Sequence, residues 1–288
     1  MQGFSWFRML SLAVGFGFLY VPIASLIVYS FNKSKLVTVW GGFSTKWYGA
    51  LLQNEQILNA AWLSLRVAAI SATLAVALGT LAGMALARFG PFKGRTLFSG
   101  LTTAPLVMPE VITGLSLLLL FVTMEQLIGW PAGRGMTTII IAHVTFTMAF
   151  VTVIVQSRLT QMDESLEEAA MDLGARPWKV FFVITLPIIF PALLSGWLLA
   201  FTLSLDDLVI TSFVAGPGSS TLPMVIFSKV RLGVSPDINA LATILVTIVA
   251  IGVAVAGVLM ARQQKIRDRD AQMALAANQQ MIESLKKG

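Results

Sequence analysis

The sequence predicts an all-α membrane protein that crosses the bilayer six times. Three observations lead there. Hydrophobic residues make up 56% of the chain and charged residues only 12%, about half the charged share of an ordinary soluble domain. Mean hydropathy is +0.81. The apolar residues also gather into six runs, near 9–31, 60–87, 97–123, 137–157, 187–214 and 240–261. Each is long enough to cross about 30 Å of hydrocarbon at about 1.5 Å per residue.

The first run follows Arg8 and is too long for a signal-peptide core, and no small-x-small cleavage site follows it cleanly. It reads as a retained span. Trp40, Trp47, Tyr48 and Trp130 fall near the outer boundary, where amphipathic rings act as anchors. The second run carries Arg66 and ends at "FGPFKGR". That stretch lacks the Gly-x-x-x-x-Gly-Lys-Ser/Thr spacing of a phosphate loop and reads as a polar turn. In the third run Pro105 and Pro109 remove backbone donors beside Glu110, which predicts a kink there. The fourth holds His143, the only histidine. With no cysteine, one histidine cannot build a metal site, and a hydrogen-bonded packing role is expected rather than a proton relay. The fifth carries Asp206 and Asp207. "GPGSSTLP" at 216–223 is a turn-rich outer segment. After the sixth run, 262–288 is a polar tail with a basic start.

The net charge of +6 does not point to nucleic acid, because the basic residues sit in short segments between apolar runs. With the N-terminus inside, thirteen basic residues fall on inner segments and six on outer ones. The bias predicts both termini on the cytoplasmic side. No inverted internal repeat of the secondary-transporter kind is evident. The chain thus divides into a first span with its outer loop (1–59), a core of five spans (60–261) that includes a charged loop at 163–187, and a tail (262–288).

That loop, "SLEEAAMDLGARPWKVFFVITLP" from Ser165 to Pro187, is the most charged stretch in the body of the chain. Ser165-x-x-Glu168 has the form of a capping box. Ala169, Ala170, Met171 and Leu173 favour helix. Gly174 stands where a left-handed C-terminal cap needs a residue without Cβ. Pro177 suits the first turn of a second short helix, with Phe181, Phe182 and Ile184 as its apolar face. Pro187 would open the fifth span. About two helical turns are marginal alone in water, so the loop needs a body to pack against.

Glu168-Ala169-Ala170-x-x-x-Gly174, with Phe181 and Leu186-Pro187 after it, resembles the "EAA" loop of type I ABC importer permeases. "TAPLVMPEVITGLSLLLLF", "SGWLLAFTLSLDDLVITSFVAGPGSSTLPM" and "INALAT" resemble the polyamine-importer permeases of the PotC/PotI type, over nearly the whole chain. The resemblance implies the MetI-like permease fold in a bacterial inner membrane. It implies a second homologous permease, two ATPase subunits that bind ATP and Mg, and a periplasmic polyamine-binding protein. No cofactor is implied on this chain. Glu168, Ala169, Ala170, Gly174, Arg176 and Phe181 would then form the coupling element on the ATPase.

Acids within apolar spans cost about 2.5–3.5 kcal/mol each at mid-bilayer. Glu110, Asp206 and Asp207 are therefore candidates for the pathway of a slender polycation such as putrescine or spermidine. Ser204 is a polar helper, and Tyr20 and Trp47 are candidate aromatic faces. Alternatively, Arg66 pairs with one of the acids as a structural ion pair. Successive helical residues diverge by about 100°, so the two aspartates point apart. Ser195, Thr202 and Asp206 share one line and Ser204, Asp207 and Thr211 another; the sequence does not choose between them. The alternatives to polyamine import are the same machine with another small organic cation as cargo, and an ion-coupled secondary transporter.

Overall fold

A computed structural model describes residues 6–36, 39–233, 236–252, 254, 258 and 262. The chain forms two compact units, one of residues 1–53 and 234–288, the other of residues 54–233.

In the first unit, α1 (Trp6–Ser30) and α12 (Pro236–Gly252) are apolar helices, and α2 (Lys46–Leu52) is short. The loop between α1 and α2 is built on buried Asn32. Its Oδ1 accepts the amides of Ser34 (3.1 Å) and Gly41 (2.8 Å), and its Nδ2 donates to the Val39 carbonyl at 2.8 Å. The Trp47 indole donates to the Asn32 carbonyl at 2.7 Å, and Phe31 stacks on Phe43.

The second unit is centred on three long helices, α3 (Glu55–Arg88), α6 (Met136–Thr160) and α9 (Leu186–Asp206). Asn54 caps α3 through its side chain, which accepts the Ile57 amide at 3.2 Å. α3 and α6 pack closely because Gly79 and Gly83 give up their side chains to Val151 and Val155. A Cβ on Gly79 would stand 2.8 Å from Val151 Cβ. This small-x-x-x-small spacing lets membrane helices approach. One core joins Ala72, Ala75, Val151, Val155, Ile189 and Ala200. A second joins Val67, Leu117, Phe121, Ile139, Ile210 and Val214.

Five helical stretches are long and apolar enough to cross a membrane: Trp6–Ser30, Glu55–Arg88, Glu110–Ile128, Met136–Thr160 and Pro177–Asp206; Pro236–Gly252 is a shorter apolar helix. The sixth predicted run extends past 252 into residues that are mostly outside the described ones, as is nearly all of the 262–288 tail.

Two expectations are corrected here. The third run is not a kinked span but two helices, α4 (Arg95–Val107) and α5 (Glu110–Ile128). Met108 and Pro109 between them take extended backbone (ψ 135° and 134°). Proline disfavours helical backbone at the residue before it, so Pro109 turns a kink into a break. The fifth run also breaks. α9 ends at Asp206, Asp207 is extended (ψ 125°), and α10 (Val209–Val214) follows. α11 (Leu222–Leu232) closes the unit.

Candidate functional site

The loop after α6 forms α7 (Ser165–Asp172) and then α8 (Pro177–Val180). Gly174 has φ +85°. The Gly174 amide donates to the Met171 carbonyl at 2.8 Å and the Ala175 amide to Ala170 at 3.0 Å. These two bonds make the expected left-handed cap. The capping box does not form: Ser165 is already the first helical residue, and its amide donates to Asp163 Oδ1 at 3.0 Å. That bond holds the exposed Asp163 carboxyl below its ordinary pKa. Nor is α8 a separate helix. It runs through one π turn (Phe181–Thr185) into α9, so Pro187 lies inside a continuous 30-residue helix from Pro177. The phenylalanines do not all face inward. Phe182 is exposed and Phe181 half-buried, while Val180 and Thr185 are buried.

What fastens α7 is a residue that sequence reasoning missed. Arg88, at the end of α3, donates from Nε to Glu167 Oε2 at 2.8 Å and from Nη1 to Glu164 Oε1 at 2.9 Å. The other oxygen of Glu167 accepts the Thr185 hydroxyl. Glu167 therefore ties α7 to the end of α3 and to the π turn at once. Its neighbour Glu168 faces outward and is exposed, as is Ala169; Ala170 is half-buried and Arg176 exposed. Leu173 is 90% exposed and Trp178 62%, beside a shallow depression lined by Ala170, Gly174, Ala175, Arg176 and Lys179. α7 thus has a fastened side and an open one.

The second cluster lies at the break between α9 and α10. His143 on α6 is 1% exposed. Its Nδ1 meets Ser204 Oγ at 2.6 Å, and its Nε2 meets Thr211 Oγ1 at 2.9 Å and Asp207 Oδ2 at 3.2 Å. Asp207 also accepts the amides of Ile210 (3.2 Å) and Thr211 (2.7 Å) and the Thr211 hydroxyl (2.6 Å). From the position before Leu208, the N-cap residue, its side chain caps the first turn of α10. The other end of α10 is held by Thr138 of α6, which donates to the Val214 carbonyl at 2.7 Å. The expectation that His143 is a hydrogen-bonded packing residue agrees with this geometry.

Of the two polar lines on the fifth run, Ser204–Asp207–Thr211 turns inward and is buried. Ser195, Thr202 and Asp206 form the exposed line. Glu110 opens α5, is exposed, and lies one turn before Gly114, on which Ile210 and Phe213 of α10 pack. The structure does not join Glu110 or Asp206 to the His143 cluster. Arg66 does not pair with these acids; its guanidinium lies over the Trp62 ring at 4.7 Å. In the other unit, Tyr20 is exposed and stacks on Phe16, and Lys46 lies over the Trp47 ring at 4.5 Å.

Discontinuous helices like the two interrupted spans of this bundle occur in membrane transporters. The fold is similar to the solved structure of a bacterial ABC transporter involved in the import of the acidic polysaccharide alginate. The TM-score is 0.68 at 16% identity, over 87% of this chain and 93% of that one. The MetNI methionine ABC transporter gives 0.57 at 17%, over 72% and 94%. The family model for the binding-protein-dependent transport system inner membrane component matches residues 75–271. The chain belongs to that family. It is 61% identical to the putrescine transport system permease protein PotI of Escherichia coli K12, over 93% of this chain and 95% of that protein. With the spermidine/putrescine transport system permease protein PotC of the same strain it shares 42%, over 86% and 91%.

Proposed function

We propose that this chain is one permease subunit of an ATP-driven importer of putrescine and spermidine in a bacterial inner membrane, with both termini cytoplasmic. The observation that carries the reading is the 61% identity to a putrescine permease along nearly the whole chain. The partners are a second permease, two ATPase subunits that bind ATP and Mg, and a periplasmic binding protein. The exposed part of this loop, with Glu168, Ala169, Ala170, Gly174 and Arg176, together with the half-buried Phe181 at the start of the π turn, is the seat of the ATPase. The clamp on Arg88 transmits its motion into α3 and α9.

The two breaks suit the cargo. A helix that stops inside the membrane ends in carbonyls without intrahelical partners and in the negative pole of its dipole. α4 stops at Val107 and α9 at Asp206. Each break carries an exposed acid, Glu110 and Asp206. Two such points, separated along the path, fit the two ends of a diamine and hold neither tightly enough to trap it. Tyr20 and Trp47 can offer ring faces to a passing ammonium group.

The test is uptake of labelled putrescine and spermidine by proteoliposomes holding the complete complex, with and without ATP. ATP-dependent uptake of either supports the reading. Selective uptake of a different organic cation would keep the machine and replace the cargo. Uptake driven by an ion gradient without ATP would overturn both.

A further inference from the structure

We infer that His143 is a positioning residue, which fixes the α9–α10 break through Asp207 and so sets where Asp206 stands in the transport path. The inference rests on the transport reading above, and it divides two adjacent aspartates between two jobs.

The hydrogen bonds fix the roles. The Thr211 hydroxyl gives its proton to Asp207 Oδ2, so at 2.9 Å from Nε2 it accepts. The Nε2–H is therefore shared between Thr211 Oγ1 and Asp207 Oδ2, while Nδ1 pairs with the Ser204 hydroxyl. Asp207 takes donors from Ile210, Thr211 and His143 on its two oxygens. It is 8% exposed and has little capacity left for a cation that comes and goes.

Removing that carboxylate leaves the α10 amides without an acceptor in the membrane, where unmet backbone groups are costly, and removing the imidazole takes away the bond from α6 that holds the carboxylate against those amides. The chain would rewind α9 into α10 or slide its end. Shortening α9 takes Asp206, its last residue, out of the helix, and extending α9 turns each residue after Asp206 by about 100°, so either change redraws where Asp206 stands against the break. Ser204 and Asp207, candidates for the pathway by sequence, belong to this lock; Asp206 is left facing outward.

The chain has no cysteine, so D206C gives a single reporter thiol on this subunit in the assembled complex. Its rate of modification by a small cationic thiol reagent reads the position of residue 206 directly. A Gln amide reaches the place of Nε2, whereas an Asn amide reaches only that of Nδ1. In the D206C background, H143Q should leave the labelling rate within about twofold, and H143N should change it about tenfold, as loss of a buried bond to a charged acceptor would. In the chain that keeps Asp206, putrescine uptake should follow the same order, with H143Q retained and H143N lost, at equal permease in the membrane. If Asn and Gln label alike, His143 only fills space and the inference is overturned. If H143N does not accumulate, T211V, which removes the shared hydroxyl at nearly constant shape, takes its place; unchanged labelling there overturns it too. Wild-type complex that imports no polyamine would sink the transport reading, while the labelling contrast would still decide the lock.

Discussion

The two polar clusters do opposite things with the same kinds of residue. At the α3–α7 corner, Arg88 holds two glutamates, one of them largely in water: Glu164 has 62% of its side chain exposed and Glu167 14%. At the α9–α10 break, His143 and Asp207 are sealed, and their hydrogen-bond partners are neighbours within the unit. In the proposed coupling role the open corner fastens a lever that moves against the ATPase, and its ties can be remade in water. The sealed corner fixes a break in a span, where an unmet amide has no water to turn to. Strength is graded by burial in both.

The largest effect should come from the sealed corner. D207A strips the cap from α10 and leaves His143 without its carboxylate. Breaking a buried charged network of this kind costs about 3–5 kcal/mol. Thermal unfolding of the purified complex should fall sharply and polyamine uptake should be lost. Wild-type stability would mean that α10 has another cap.

Next comes the Arg88–Glu167 tie. R88A and E167Q should each cost about 1.5–3 kcal/mol, the range for hydrogen bonds to charged groups. Each should cut uptake while ATP hydrolysis continues. The double variant should cost clearly less than the sum of the two single ones, since both remove the Arg88–Glu167 bond, while each also loses a bond of its own, to Glu164 or Thr185. Additive losses would show that the two residues act apart.

E164Q should matter far less, by about 0–1 kcal/mol, because its partner bond is exposed. A loss equal to that of E167Q would reverse the ranking by burial. Weakest is Asp163. Its pKa is lowered in the folded chain, so what it adds to α7 is present at neutral pH and is lost as the pH falls through that lowered value. The protection factor of the Ser165 amide, its exchange rate divided into the intrinsic rate at the same pH, should fall on acidification in the wild type and be less sensitive to pH in D163N, which keeps the acceptor without the titration.

Local punctuation was legible in the sequence. The Gly174 cap and Pro177 at a helix start follow from backbone preferences within a few residues. Pro105 and Pro109 announced trouble in the third run. What could not be read was direction. Glu167 and Glu168 are adjacent and chemically alike, and only Arg88, 79 positions away, makes one of them inward. The same holds for Asp206 and Asp207. The α9 break did leave a signal, an aspartate pair inside an apolar run, but the apolar residues around it hid the helix start. Gly79-x-x-x-Gly83 was equally visible and marks where α3 meets α6.

The central claim is that the α7 loop carries ATP-driven motion into the membrane, and Gly174 tests it most directly. A Cβ at Gly174 would meet nothing within 4 Å, so only its φ of +85° resists a side chain. Asparagine tolerates that conformation, and valine loses about 1–2 kcal/mol in it. The measurement is putrescine imported per ATP hydrolysed by reconstituted complexes with equal permease content. The account predicts a ratio near wild type for G174N and a collapse for G174V, with hydrolysis persisting. A wild-type ratio in G174V would contradict it.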